Sequence, residues 1–145
     1  MEWIKKVAGR VALVAALSMT PAVALAQDNP EDLSVEELYE KAGQLFMSGN
    51  HAEASKMYEL MIEKSGGQET LFEDFGSQAG GIFFDYGMTL LRQKRWEDAK
   101  DAFDTCVRSD EIAEAVESPI NSQNPRKSLA KFQLGFCEAQ FGNYE

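Results

Sequence analysis

Histidine occurs once in this chain, cysteine twice and proline four times. A single histidine builds neither a multi-histidine metal site nor a relay of imidazoles. The sequence also lacks clustered metal ligands, a strand-to-helix glycine loop of the phosphate-binding kind and a nucleophile elbow. Strand-like alternation of apolar and polar residues is missing as well, which excludes a sheet. Positive charge is scarce: 14 Lys and Arg stand against 24 Asp and Glu, for a net charge of −10. A surface this acidic repels phosphate backbones and anionic lipid headgroups, which argues against binding nucleic acid or a membrane surface. The carboxylates of "ELYEKAG" and "EIAEAVE" recur every three or four residues, as on solvated helix faces and unlike an acid/base pair. "SQAGGIFFDYG" has glycines but no basic neighbour, so it is a weak phosphate candidate. No enzymatic activity, cofactor or metal is expected.

What is present begins with residues 1–26, laid out as a secretory signal. Lys5, Lys6 and Arg10 precede an apolar core from Val11 to Leu17, Pro21 follows, and Ala24-Leu25-Ala26 supplies a small-x-small pattern before Gln27. Cleavage is expected between Ala26 and Gln27. The apolar stretch falls short of the roughly 20 residues of a spanning helix, so a retained membrane anchor is the minor alternative, and no membrane association is expected after cleavage. No cysteine near the junction offers a site for lipid attachment. The expected destination is the periplasm or cell envelope of a Gram-negative bacterium, with secretion as the alternative. Loss of the segment leaves a more acidic remainder, long enough for one small domain.

Residues 27–33 read as a flexible polar leader. "SVEE" at Ser34 is a capping box that opens a helix carrying Val35, Leu38, Ala42, Leu45 and Phe46 at helical spacing. Gly49-Asn50 breaks it, and a second helix with Ala54, Tyr58, Met61 and Ile62 runs to Gly66-Gly67. The pattern returns after "QETLFEDF": a helix ending near Gln93, a turn at Lys94-Arg95, and a helix opening at Trp96. A short helix over "DEIAEAVE", a loop over "SPINSQNP" and a last helix from about Arg126 to Phe141 complete the chain. The class is all-α, with helical hairpins at about 34–66 and 77–109 and an incomplete one at 126–145.

A small residue precedes a ring by nine positions three times: Ala42 to His51, Gly87 to Trp96, Gly135 to Tyr144. In the first two copies it also precedes an alanine by twelve and an aromatic by sixteen: Ala54 and Tyr58, then Ala99 and Phe103. This pattern resembles the tetratricopeptide repeat, in about two and a half divergent copies over residues 34–145. The rings lie 45 and 48 positions apart, against a family period of about 34, so longer helices or inserted loops must absorb the excess. Lys131 replaces the large residue expected near the start of the third copy, and no proline closes either complete one.

The resemblance implies an α-solenoid whose first helices line a concave groove for a protein or peptide partner. That groove would comprise Tyr39, Phe46 and Met47, then Phe84, Met88 and Leu91, then Phe132 and Phe136, with Arg92 and Gln140 at its edge. Phe84 and Phe136 are expected to face solvent, and Trp96 to wedge between the helices of its hairpin. His51 takes a ring-packing position. Cys106 and Cys137 fall on helices expected to be neighbours, and in an exported protein they are either a disulfide or two small buried residues. Because the chain stops after Tyr144, its last helix is expected to lack a partner, as in a fragment or a chain that docks on another. The expected role is a non-catalytic exported scaffold. An accessory domain of a larger exported enzyme and a carrier of an apolar small molecule are the alternatives.

Overall fold

A computed structural model of the chain describes residues 29–120 and 123–142; the signal segment with its Ala26–Gln27 junction, and Tyr144, lie outside the described residues. Among the described residues are seven α-helices and two 3-10 turns, and no strand. The first helix, α1 (Val35–Met47), starts on the anticipated capping box. Glu37 N–H donates to Ser34 Oγ at 3.2 Å, and Ser34 N–H donates to Glu37 Oε2 at 2.7 Å. The residues just before it are not a loose leader. Pro30–Asp32 form a 3-10 turn, and Lys64 Nζ at the end of α2 (His51–Lys64) donates to the carbonyls of Glu31 and Leu33, each at 2.6 Å.

One turn geometry joins both hairpins. At the end of α1, Gly49 adopts φ 83°, its N–H bonds to Phe46 O, and Asn50 N–H reaches back to Leu45 O at 2.9 Å. Between α4 (Ala79–Arg92) and α5 (Trp96–Val107), Lys94 adopts φ 61°, its N–H bonds to Leu91 O, and Arg95 N–H bonds to Leu90 O at 3.1 Å. Both are left-handed caps that satisfy the last carbonyls of a helix. Gly142 repeats the positive φ, at 72°, after α7 (Lys127–Gln140). The repeat read from side-chain spacing is thus also a repeat of backbone conformation.

Two short helices, α3 (Gln68–Phe75) and α6 (Ser109–Ala115), take up part of the excess between hairpins, and in the second gap the non-helical residues 116–120 and 123–126 take up more. Helix α3 buries Leu71 and Phe72, and the Phe72 ring stacks on Phe83 with centroids 5.8 Å apart. Helix α6 packs against α3 and the 3-10 turn Gly76–Gln78. The segment leading to α7 is anchored by buried Asn124, whose Nδ2 lies 3.3 Å from Cys106 O and 3.2 Å from Ser109 Oγ. Asn124 sits so close to α4 that a Cβ on Gly80 would lie 2.3 Å from its Nδ2. Helix α7 packs chiefly against α5 and only grazes α4, just as α4 packs more on α2 than on α1. Lys127 fixes its start through Asp110 of α6 at 2.7 Å.

The small, alanine and aromatic positions of the two complete copies are core positions. Ala42, Ala54, Tyr58, Gly87, Ala99 and Phe103 are all buried. Cys106 and Cys137 are buried too, as unbridged thiols, so the structure realises the small-buried-residue reading of this pair and not the disulfide. Burial raises both thiol pKa values, which keeps them protonated and unreactive. A Cβ on Gly87 would meet the Phe103 ring at 2.8 Å, whereas one on Gly135, the matching residue of α7, would meet nothing within 4 Å. The same substitution should therefore have opposite effects. Gly87→Ala is expected to destabilise the protein by about 1–2 kcal/mol, overpacking outweighing the gain in helix propensity. Gly135→Ala is expected to stabilise it by up to about 1 kcal/mol. Urea unfolding of dilute protein measures both.

Candidate functional site

A polar bar spans the first helices of the two hairpins. Asp85 on α4 accepts a hydrogen bond from the Tyr39 hydroxyl of α1 at 2.9 Å, and its other oxygen pairs with the Arg126 guanidinium. Arg126 also donates to Gly81 O at 3.3 Å, and its charge lies 5.5 Å from the centroid of the Phe84 ring, within cation–π range. The bar thus ties α1, α4 and the entry of α7 together. Partial burial and the adjacent Asp85 carboxylate push the Tyr39 pKa up to about 12. Its ring continues into a file of aromatics, edge-on to Tyr58 at 6.1 Å, which in turn lies 5.9 Å from Tyr86.

Two clefts flank the bar and share Tyr39 and Glu40 as a common wall. The first, about 410 Å³, is lined by five of the anticipated groove residues, Tyr39, Phe46, Met47, Phe84 and Met88. Glycine at position 43, which also lines it, leaves its floor open between Phe46 and Tyr39. The Phe46 ring is backed by His51, 5.1 Å away, which gives the lone histidine the packing role its position implied. The second cleft, about 700 Å³, lies between Val35 and Glu36 of α1, Phe75 of α3, Ile82 of α4 and the Gln123–Arg126 stretch. Sequence reasoning missed it because one wall is a loop brought back from far along the chain. Pro125 and Asn124 carry no local signal of that destination.

The remaining groove residues do not join these clefts. Leu91 packs partly onto the core and Arg92 is exposed. Phe132, Phe136 and Gln140 sit on α7, which packs on α5 as α4 packs on α2, and they line neither cleft. Phe136 lies edge-on to Trp96 with centroids 6.0 Å apart. Trp96 is accordingly a half-buried residue at the α5–α7 edge and not a wedge inside its own hairpin. Phe84 is likewise no free surface ring: it is half-buried, 5.8 Å from Phe103 and beneath Arg126. Replacing it would damage the fold as well as the cleft.

The clefts are apolar with an acidic rim. Arg126 neutralises Asp85, leaving the exposed carboxylates of Glu36 and Glu40 at the edge. Among the described residues no cluster of His, Cys, Asp and Glu is placed to hold a metal, and no helix is long and apolar enough to cross a membrane. A raised Tyr39 pKa means the folded state holds its proton after the unfolded chain has lost it, so stability falls as pH rises from about 10 towards 12. Tyr39→Phe should remove part of that alkaline loss while costing about 1 kcal/mol near neutrality, because Asp85 loses a donor. Unfolding curves at pH 7 and pH 11 on both proteins check the two signs. No family model, curated protein or solved structure matches the chain, so what the clefts hold has to be read from their own chemistry.

Proposed function

We propose that this chain is an exported, non-catalytic scaffold of the tetratricopeptide type, which holds a short segment of a partner protein in the envelope across the Tyr39–Asp85–Arg126 bar. The observation that carries the reading is the pair of adjoining apolar clefts beside that bar. Two pockets either side of a fixed polar bar suit an extended or helical peptide that offers one apolar side chain to each. The acidic rim of Glu36 and Glu40 favours a segment that also carries lysine or arginine. Neither cleft is an enclosed cavity of the sort that would swallow a lipid chain, which sets the carrier reading second.

Met47 provides the cleanest test, since it lines the smaller cleft and is 83% exposed. Met47→Glu is expected to leave stability within about 0.5 kcal/mol. It should nevertheless weaken capture of the partner by about 1 kcal/mol or more. Glu40→Lys, at the wall common to both clefts, should weaken it further and reduce its salt dependence. Affinity capture from envelope extract, quantified beside thermal melts, separates these outcomes. Undiminished capture by both variants would place the partner elsewhere, and co-purified lipid in place of protein would favour the carrier.

A further inference from the structure

The larger cleft combines features that single out one kind of side chain. Val35, Met61 and Ile82 line it with hydrocarbon, and Phe75 adds a ring that is 36% exposed. On the α1 wall, Tyr39 and Glu40 follow Glu36 by three and four positions, so two carboxylates and a ring share one helix face. Both carboxylates are exposed, and neither belongs to an ion pair among the described residues. Arg126, which also lines the cleft, is already paired with Asp85. The cleft therefore keeps surplus negative charge beside an apolar floor. A hydrocarbon stem that ends in a cation fits such a surface, the stem covering the floor and the head meeting the carboxylates. Guanidinium suits it better than ammonium, because its plane can stack on the Phe75 or Tyr39 ring while its edge bonds to a carboxylate.

The smaller cleft is walled by the rings and thioethers of Phe46, Met47, Phe84 and Met88, and suits an uncharged side chain. Its lining residues lie about five positions further along both α1 and α4 than those of the larger cleft, a displacement of about 7 Å at the helical rise. Alternate side chains of an extended strand are spaced by about 6.6 Å on one face, whereas one helical turn, about 5.4 Å, falls short. We infer that the segment held across the bar is extended and carries an arginine in the larger cleft and a large apolar side chain in the smaller, with a single residue between them. The middle residue crosses the Tyr39–Asp85–Arg126 bar with its side chain turned outward. This recognition rests on the proposed peptide-holding role and adds to it the identity and spacing of the side chains held.

Selection from a phage-displayed library of short random peptides, against protein purified after expression of the full 145-residue chain, tests the motif. Enriched peptides should carry arginine, and lysine less often, two positions from a large apolar residue. A synthetic Gly/Ser-flanked peptide containing Leu-Ser-Arg should bind at least about tenfold more tightly than its Leu-Ser-Gln counterpart in fluorescence anisotropy at low salt. Glu36 lines only the larger cleft and is exposed, so Glu36→Gln should cut that ratio at least about threefold with the fold intact. Glu69→Gln, exposed on α3 and lining neither cleft, should leave the ratio unchanged. Enriched peptides that lack a basic residue, or that set it at another spacing, overturn this inference while leaving peptide binding intact. So does an arginine preference that survives Glu36→Gln, or one that Glu69→Gln lowers equally. Failure to enrich any peptide, with no binding by either synthetic one, removes the proposed role and this inference with it.

Discussion

Phe103 needs a gap in α4 to occupy, and Gly87 is that gap. From this one close approach the rest of the molecule can be followed outward. The buried Phe103 ring supports Phe84 one turn before Gly87, Phe84 carries the Arg126 guanidinium on its face, and Arg126 neutralises Asp85. Asp85 in turn accepts the Tyr39 hydroxyl and sets the distance of α1 from α4. Packing in the core is therefore what positions the polar bar of the site. A buried ring has few alternative places to go, so the bar inherits its rigidity.

The parts legible in the sequence were those written in short-range spacing. The capping box at Ser34, the breaks at Gly49 and Lys94, and the alanine and aromatic positions of both hairpins need only neighbours within one or two turns to be recognised. Each is found in place, and the signature residues are buried. That Tyr39, Phe46, Met47, Phe84 and Met88 share a cleft was legible for the same reason, since α1 and α4 carry repeated faces. The α7 residues expected in the groove line neither cleft, and where α7 starts depends on a long-range event. Asn124 plugs the end of α4 against Gly80 and Ser109, and α7 is delivered to α5. A single buried asparagine in a polar loop looks like any turn residue until its partners, far earlier in the chain, are known. The inserts show the opposite weakness: α3 and α6 are each two turns or so, too short for periodicity to identify α3 as a helix.

Gly87 and Gly135 show how one sequence device serves two ends. In α4 the missing side chain admits a ring from the following helix, so the glycine acts within the fold. In α7 the matching glycine faces outward beside Phe132, which is itself mostly exposed, and no described residue fills the space above it. An apolar face of this kind costs solubility in an otherwise strongly acidic protein, and it gains nothing for the core that α7 already shares with α5 through Ala130 and Cys137.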